Sequence, residues 1–199
     1  MRITAEEKEA TRERIEAAAL ELFRAQGFEA TTTRDIAKSA DIAVGTLFNY
    51  FTAKEAIVIA MAEEGLAKAQ AAIQKQPAAE TLEEDLFALV AAELRQLKPL
   101  RKFIGPVLET ALSPLATTAA SGELGLRAAH LECVARISLA HGVAEVTSVA
   151  LQVYWSLYTG VLAFWAADKS PKQEETLALL DNSLHMFAAW LQDAPAEPR

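Results

Sequence analysis

Thr31-Thr32-Thr33-Arg34-Asp35-Ile36-Ala37, followed after six residues by Val44-Gly45-Thr46-Leu47-Phe48-Asn49-Tyr50-Phe51, decides the fold. Thr32 with Asp35 three residues on has the form of a capping box, with Asp in the usual place of Glu. It predicts a short helix over 33–39 that buries Ile36 and Ala37. Ala40-Asp41-Ile42-Ala43 reads as a tight break, and a second short helix follows over 44–51. Two short helices joined in this way form a helix-turn-helix pattern. Leu47 and Phe51 lie four apart and supply a buried face. Val44, Gly45, Thr46, Phe48, Asn49 and Tyr50 are left outward or partly outward. A helix of this size fits the major groove of DNA. Gly45 permits close approach, Thr46 can bond a base or touch a thymine methyl, and Asn49 can read adenine. The plainer reading is that Phe48 and Tyr50 are packing aromatics and the threonines only a cap.

Outward from this stretch, apolar residues recur at helical spacing almost everywhere, and no alternating β-branched run appears. A first helix starts near Thr4 or Lys8, carries Ile15, Ala19, Leu22 and Phe23 on one face, and ends at Gly27 in the left-handed region. Phe28 follows as an apolar staple. Thr52 with Glu55 predicts a capping box opening a long helix to about residue 76, where Pro77 stops it. Thr81 with Glu84 caps a helix that buries Leu82, Leu86, Leu89, Val90, Leu94 and Leu97. Another begins at Pro99 and is kinked or broken at Gly105-Pro106. The stretch 113–125 is rich in small residues. A helix from about residue 123 carries Leu126, Leu131, Val134 and Ile137 and closes at Gly142. After an uncharged helix to about Asp168, Ser170-Pro171 with Gln173 predicts a capped last helix to about residue 192. The tail over 194–199 reads as a flexible end.

Composition limits what such a chain can do. Its 199 residues carry 19 Lys plus Arg against 27 Asp plus Glu, a net charge of −8, which argues against a histone-like carpet of positive charge. Residues 1–56 hold 8 basic and 10 acidic side chains, so the acid excess belongs mostly to the remainder. DNA binding then depends on few, well-placed contacts and on two copies of the head. With 52% hydrophobic residues the chain is no disordered segment. One cysteine, Cys133, excludes an intrachain disulfide and a multi-cysteine zinc site. The charged start shows no secretory signal, and a cytoplasmic setting is the expectation. The uncharged run 146–167 is long enough to span a bilayer. Thr147, Ser148, Gln152, Ser156 and Thr159 interrupt it, and it reads instead as a buried helix of a soluble protein with no membrane partner.

Gly27-Phe28, the stretch 31–37, the stretch 44–51 and Lys54-Glu55-Ala56 together resemble the tetracycline-repressor (TetR) family of transcriptional regulators. The likeness covers roughly the first quarter of the chain. It implies an all-α protein: an N-terminal three-helix helix-turn-helix head over residues 1–53, joined by a long helix to a ligand-sensing and dimerisation domain over 54–193. It further implies that Thr33 and Arg34 meet a phosphate and a base edge, that Val44, Gly45, Thr46, Phe48 and Asn49 face the groove, and that Tyr50 and Lys54 bind backbone phosphates. Three positions depart from the family pattern. Asp41 stands where glycine is common, Ala43 replaces the usual serine cap, and Phe48 replaces a common tyrosine.

The uncharged helix has two apolar faces. Leu151, Trp155, Tyr158, Leu162 and Trp165 suit a core. Val149, Val153, Ser156, Gly160, Ala163 and Ala167 are mostly small and suit close approach by a second helix. The last helix divides likewise, with Leu177, Leu180, Leu184, Phe187 and Leu191 on one side and Leu179, Met186 and Trp190 on the other. The small and opposite faces are expected to form a homodimer interface, a four-helix arrangement as in the resembled family. A ligand pocket, implied by the resemblance, has Phe87, Phe103, Leu108, His130, Cys133, Trp155 and Tyr158 as candidates. Few charges fall in the central runs, which points to a neutral or aromatic apolar ligand. His130, His141 and His185 show no metal spacing. His130 and Cys133 share a face without an orienting third group, so neither an enzyme nor a cofactor is expected. The chain reads as a ligand-responsive regulator, a repressor, that binds a quasi-palindromic duplex DNA operator as a homodimer and is released by a small-molecule effector. The alternative is a helical dimer that binds a small molecule or protein without using DNA.

Overall fold

The computed structural model describes residues 4–105 and 123–193. Pro106, Leu108, most of 113–125 and the 194–199 tail lie outside the described residues. Numbered in chain order, the α-helices are α1 (Ala5–Gln26), α2 (Thr33–Ser39), α3 (Val44–Phe48), α4 (Lys54–Ile73), α5 (Leu82–Leu97), α6 (Glu123–Ala140), α7 (Ser148–Ala167) and α8 (Glu174–Asp193). Short 3-10 turns occupy Lys98–Phe103 and Pro171–Gln173. No strand occurs among the described residues, and the fold is all-α as expected. Two compact units divide between Ala62 and Glu63, within α4.

The first unit is set by its caps. Thr4 Oγ1 accepts the Glu7 amide at 3.1 Å, and the Glu7 carboxylate accepts the Thr4 amide at 2.8 Å, which starts α1. Gly27 ends it with φ +89 and ψ 159, an extended positive-φ region that only glycine enters cheaply. Phe28 then folds back on Phe23, ring centroids 5.0 Å apart. The Thr32–Asp35 box starts α2, and its bonds hold the Asp35 carboxyl below the usual carboxylate range. Ile36, Ala37, Leu47 and Phe51 are buried as the spacing requires. Complete burial of a leucine such as Leu47 stabilises the head by about 1.5–3 kcal/mol.

Several boundaries differ from the sequence expectation. α3 ends at Phe48 and not at Phe51, because the Asn49 and Tyr50 amides turn to the carbonyls of Thr46 and Leu47, a tighter i to i+3 pattern. α4 begins at Lys54, which leaves Thr52 one position too early to cap it. It ends at Ile73, where the Lys75 and Gln76 amides take the carbonyls of Ala72 and Ile73 before Pro77.

In the second unit α5 packs against α6 and α8, and α7 packs against α8. The expected apolar set of α5 is wholly buried, and it is joined by Glu93. On α7, Trp155, Tyr158, Leu162 and Trp165 are buried as expected, Leu151 is half-buried, and Tyr154 joins the core. α7 is the one described helix long and apolar enough to cross a membrane by length and composition. The chain itself covers one of its sides.

The start of α8 corrects two expectations. Ser170 and Gln173 make no capping box, because Lys172 and Gln173 both take positive φ. The Ser170 hydroxyl instead accepts the Glu175 amide at 3.1 Å. Asp168 closes the corner. Its carboxylate accepts the Thr176 hydroxyl at 2.5 Å, the Thr176 amide at 3.1 Å and the Ser170 amide at 2.7 Å. Thr176 therefore takes the inward position, and Leu177, placed in the core from the pattern, is 39% exposed.

The Thr176 hydroxyl, then the Ser170 and Thr176 amides, hold the Asp168 carboxyl well below the usual range against the cost of desolvation. A depressed folded-state value gives stability that is present in full above the ordinary aspartate range and is lost progressively as pH falls below it towards the folded value. Asp168→Asn should lower the urea midpoint at pH 7, and the gap to the parent protein should narrow steadily as pH falls from about 5 to about 2. A gap that stays constant over that range would show that the charge is not what matters.

Candidate nucleic-acid interface and sensor core

α3 is held from beneath by Leu47 and Phe51, and its other residues reach outward. Gly45 and Asn49 are exposed, Val44, Thr46 and Tyr50 are half-buried, and Phe48 is 49% exposed. Phe48 thus leaves about half of a large apolar side chain open on a helix five residues long. Nothing lies within 4 Å of where a Gly45 Cβ would sit, so packing within the described chain does not require a glycine there. At the start of α2, Thr33 is half-buried and Arg34 exposed.

Asp41 has φ +53, the left-handed conformation that aspartate tolerates, so the turn forms without glycine. Ala43 offers α3 no side-chain cap. Ala43→Ser should add about 0.5–2 kcal/mol to the stability of the head, read from chemical unfolding. An unchanged midpoint would mean that water already satisfies those amides.

Lys54 has a role the spacing did not show. Its ammonium donates to the carbonyls of Phe28 at 2.7 Å, Glu29 at 3.3 Å and Thr31 at 3.2 Å, and lies 4.4 Å from the Phe28 ring centre. An ammonium has three donors, and here all three are taken by the loop that sets α2. A phosphate contact would require one of these bonds to be given up.

In the second unit, His130 is fully buried. Its Nδ1 lies 2.8 Å from Glu93 Oε1 and its Nε2 3.2 Å from the Tyr154 hydroxyl. It stacks on Tyr158 with centroids 4.1 Å apart and meets Trp155 edge-on at 6.0 Å. Of the expected pocket residues the structure thus brings together His130, Trp155 and Tyr158. Phe103 is buried and Phe87 half-buried on other turns, and Leu108 lies outside the described residues. Cys133 instead lines an open cleft of about 380 Å³ with Ile73, Gln74, Asp85 and Arg136. Burial pushes its thiol up in pKa, opposed by the Arg136 guanidinium that donates to it at 3.2 Å. With both nitrogens of His130 engaged elsewhere, the histidine and the cysteine make no dyad.

Glu93 and Tyr154 escaped the sequence reading. The signal for Glu93 was present. It falls in register with Leu86, Val90 and Leu97 on the apolar stripe of α5. It is one of the few ionisable side chains in the central runs, and it is fully buried. Burial, then the Glu93 charge, pushes the Tyr154 and Tyr158 phenols well above their ordinary range.

The proposed contact faces of α7 and α8 are bare in the protomer. Val149 and Met186 are each 60% exposed and Trp190 42%, with Val153, Ser156, Gly160, Ala163, Ala167 and Leu179 also exposed. A patch of this kind on a helix pair is the ordinary mark of an interaction surface.

Comparison with known proteins agrees with this geometry. Residues 15–61 match the model of bacterial regulatory proteins of the tetR family. No curated protein matches the chain. Among solved structures, Thermus thermophilus FadR, a TetR-family transcriptional repressor in complex with lauroyl-CoA, is 25% identical, with a TM-score of 0.62 over 94% of this chain and all of that one. A TetR regulator from Rhodococcus sp. RHA1 gives 0.65 at 18% identity over 90% and 97% of the two chains. One from Nitrosomonas europaea gives 0.63 at 20% identity over 90% and 98%. Residues 15–61 thus match the helix-turn-helix model of bacterial regulatory proteins of the tetR family, and the fold of the chain is similar to those of these regulators.

Proposed function

We propose that the protein is a ligand-responsive transcriptional repressor that binds a quasi-palindromic operator as a homodimer. The observation that supports the reading is α3, which Leu47 and Phe51 anchor from beneath while Gly45, Phe48 and Asn49 are exposed. Thr46 and Asn49 read base edges, Val44, Gly45 and Phe48 lie against the groove, and Thr33, Arg34 and Tyr50 hold phosphates. Two such heads take half-sites one helical turn apart, roughly 34 Å. The bare faces of α7 and α8 form the twofold contact. A small, mostly apolar or aromatic effector in the second unit releases the operator, which requires a coupling of only about 1–3 kcal/mol.

Binding-site selection from random duplexes with the purified protein tests this. An enriched palindrome at moderate salt is expected, and its absence would leave the helical dimer that does not use DNA. Thr46→Ala should change which sequence is enriched, by about 1–3 kcal/mol at one base pair per half-site. An identical consensus with uniformly weaker binding would move Thr46 to the phosphate contacts.

A further inference from the structure

From Ile42 to Ala53 the chain carries no Lys, Arg, His, Asp, Glu or Gln, and α3 lies wholly within that run. Asp41 and Lys54 bound it, and the Lys54 ammonium is tied to the carbonyls of Phe28, Glu29 and Thr31. What α3 and the turn after it present outward is therefore apolar or neutral. Val44 and Thr46 are half-buried, Asn49 is exposed, and Phe48 leaves about half of its surface open. Val44 and Phe48 stand four apart, so both lie along one face of the short helix. Gly45, three residues before Phe48, adds no side chain beside the ring, and nothing lies within 4 Å of where its Cβ would be. The outward face thus combines an open phenyl ring, a valine, a hydroxyl and a carboxamide, with no charge among them.

Base edges in the major groove call for different partners. Guanine shows two acceptors, which Arg or Lys meets best, and cytosine shows an amino group, which Asp or Glu accepts. Adenine is met by a carboxamide, and thymine alone carries an apolar group, its C5 methyl. α3 lacks the first two kinds of side chain and has both of the others. We infer that the part of each half-site read by α3 is built of A·T pairs, with Phe48, backed by Val44, selecting a thymine by its C5 methyl and Asn49 taking an adenine. A C·G pair at the Phe48 step sets a cytosine amino group against a phenyl ring that cannot accept its hydrogen bond, and removes the methyl as well. The inference rests on the proposed use of α3 in the major groove, and adds the class of base read there and the residue that selects it. α3 then supplies sequence preference without counterion release, and the salt dependence belongs to the phosphate contacts alone.

The test uses the full-length protein and the palindrome enriched from random duplexes. Each thymine is replaced in turn by deoxyuridine in both half-sites, which deletes the methyl and keeps the base pairing. At one or two positions the affinity should fall by about tenfold or more, since a buried methyl is worth about fourfold and occurs twice per operator. A C·G pair at such a position should bind weakly, and 5-methylcytosine, which restores the methyl, should regain part of the loss. Phe48→Ala should bind the thymidine and deoxyuridine operators alike there, with circular dichroism as the check on folding. Val44→Ala should reduce the deoxyuridine loss part-way and serves if the first variant does not fold. The deoxyuridine scan itself needs no variant. A palindrome whose thymines all tolerate deoxyuridine, a half-site without thymine, or a deoxyuridine loss that a folded Phe48→Ala leaves unchanged would each overturn the inference and keep the DNA-binding reading. No enriched palindrome at all would remove both.

Discussion

Gly160→Leu is expected to leave the protomer folded and to abolish the dimer. Gly160 lies in the middle of α7 on its exposed side, and a Cβ built there meets nothing within 4 Å. Within one chain, therefore, the leucine has room. It should even favour the helix, because glycine in a helix interior costs about 0.5–1 kcal/mol relative to alanine-like residues. Across a close helix–helix contact the same side chain would force the backbones apart. Sedimentation should report monomers with unchanged helicity. Operator affinity should fall by about a hundredfold or more, since each head then binds without the other's effective concentration. An unchanged dimer would place the interface elsewhere. The open space around residue 160 leaves the fold of the protomer no reason to fail.

Lys54→Ala should destabilise the head by about 2–4 kcal/mol, the usual loss when several charge-assisted bonds in a partly buried setting disappear together. Hydrogen exchange over residues 27–32 should rise most, because Phe28, Glu29 and Thr31 are the groups it ties. Lys54→Met keeps the alkyl stem over Phe28 and should show most of the same loss. The family resemblance instead implies a phosphate contact. In that case alanine would leave stability unchanged, weaken all operators about equally and reduce the salt slope by about one unit. The two roles thus differ in both stability and salt dependence.

Features that depend on near neighbours in the chain were legible early. The capping boxes expected at Thr32 and Thr81 formed because each needs only a hydroxyl and a carboxylate three residues apart. Leu47 and Phe51 went inward because a four-residue spacing repeats one helix face. α2 was read to the residue and α3 was overrun by three, since i to i+3 closing of a last turn has no strong sequence mark. Thr176 displaced Leu177 for a reason of another kind. Asp168, eight residues back, fixed the rotation of the helix start through two bonds.

The sequence by itself determined that the described residues are helical without strands, that residues 31–51 form a helix-turn-helix, and that α7 has one bulky and one small face. Those are properties of spacing, and spacing is local. Only the tertiary structure decided what Lys54 holds and where the polar centre of the second unit lies. Lys54 reaches carbonyls 23 to 26 residues away, and Glu93 finds its histidine 37 residues on. No periodicity encodes such partners. A buried carboxyl or ammonium takes whatever donor or acceptor the packed helices bring to it, because leaving either unmet costs more than almost any change of rotamer.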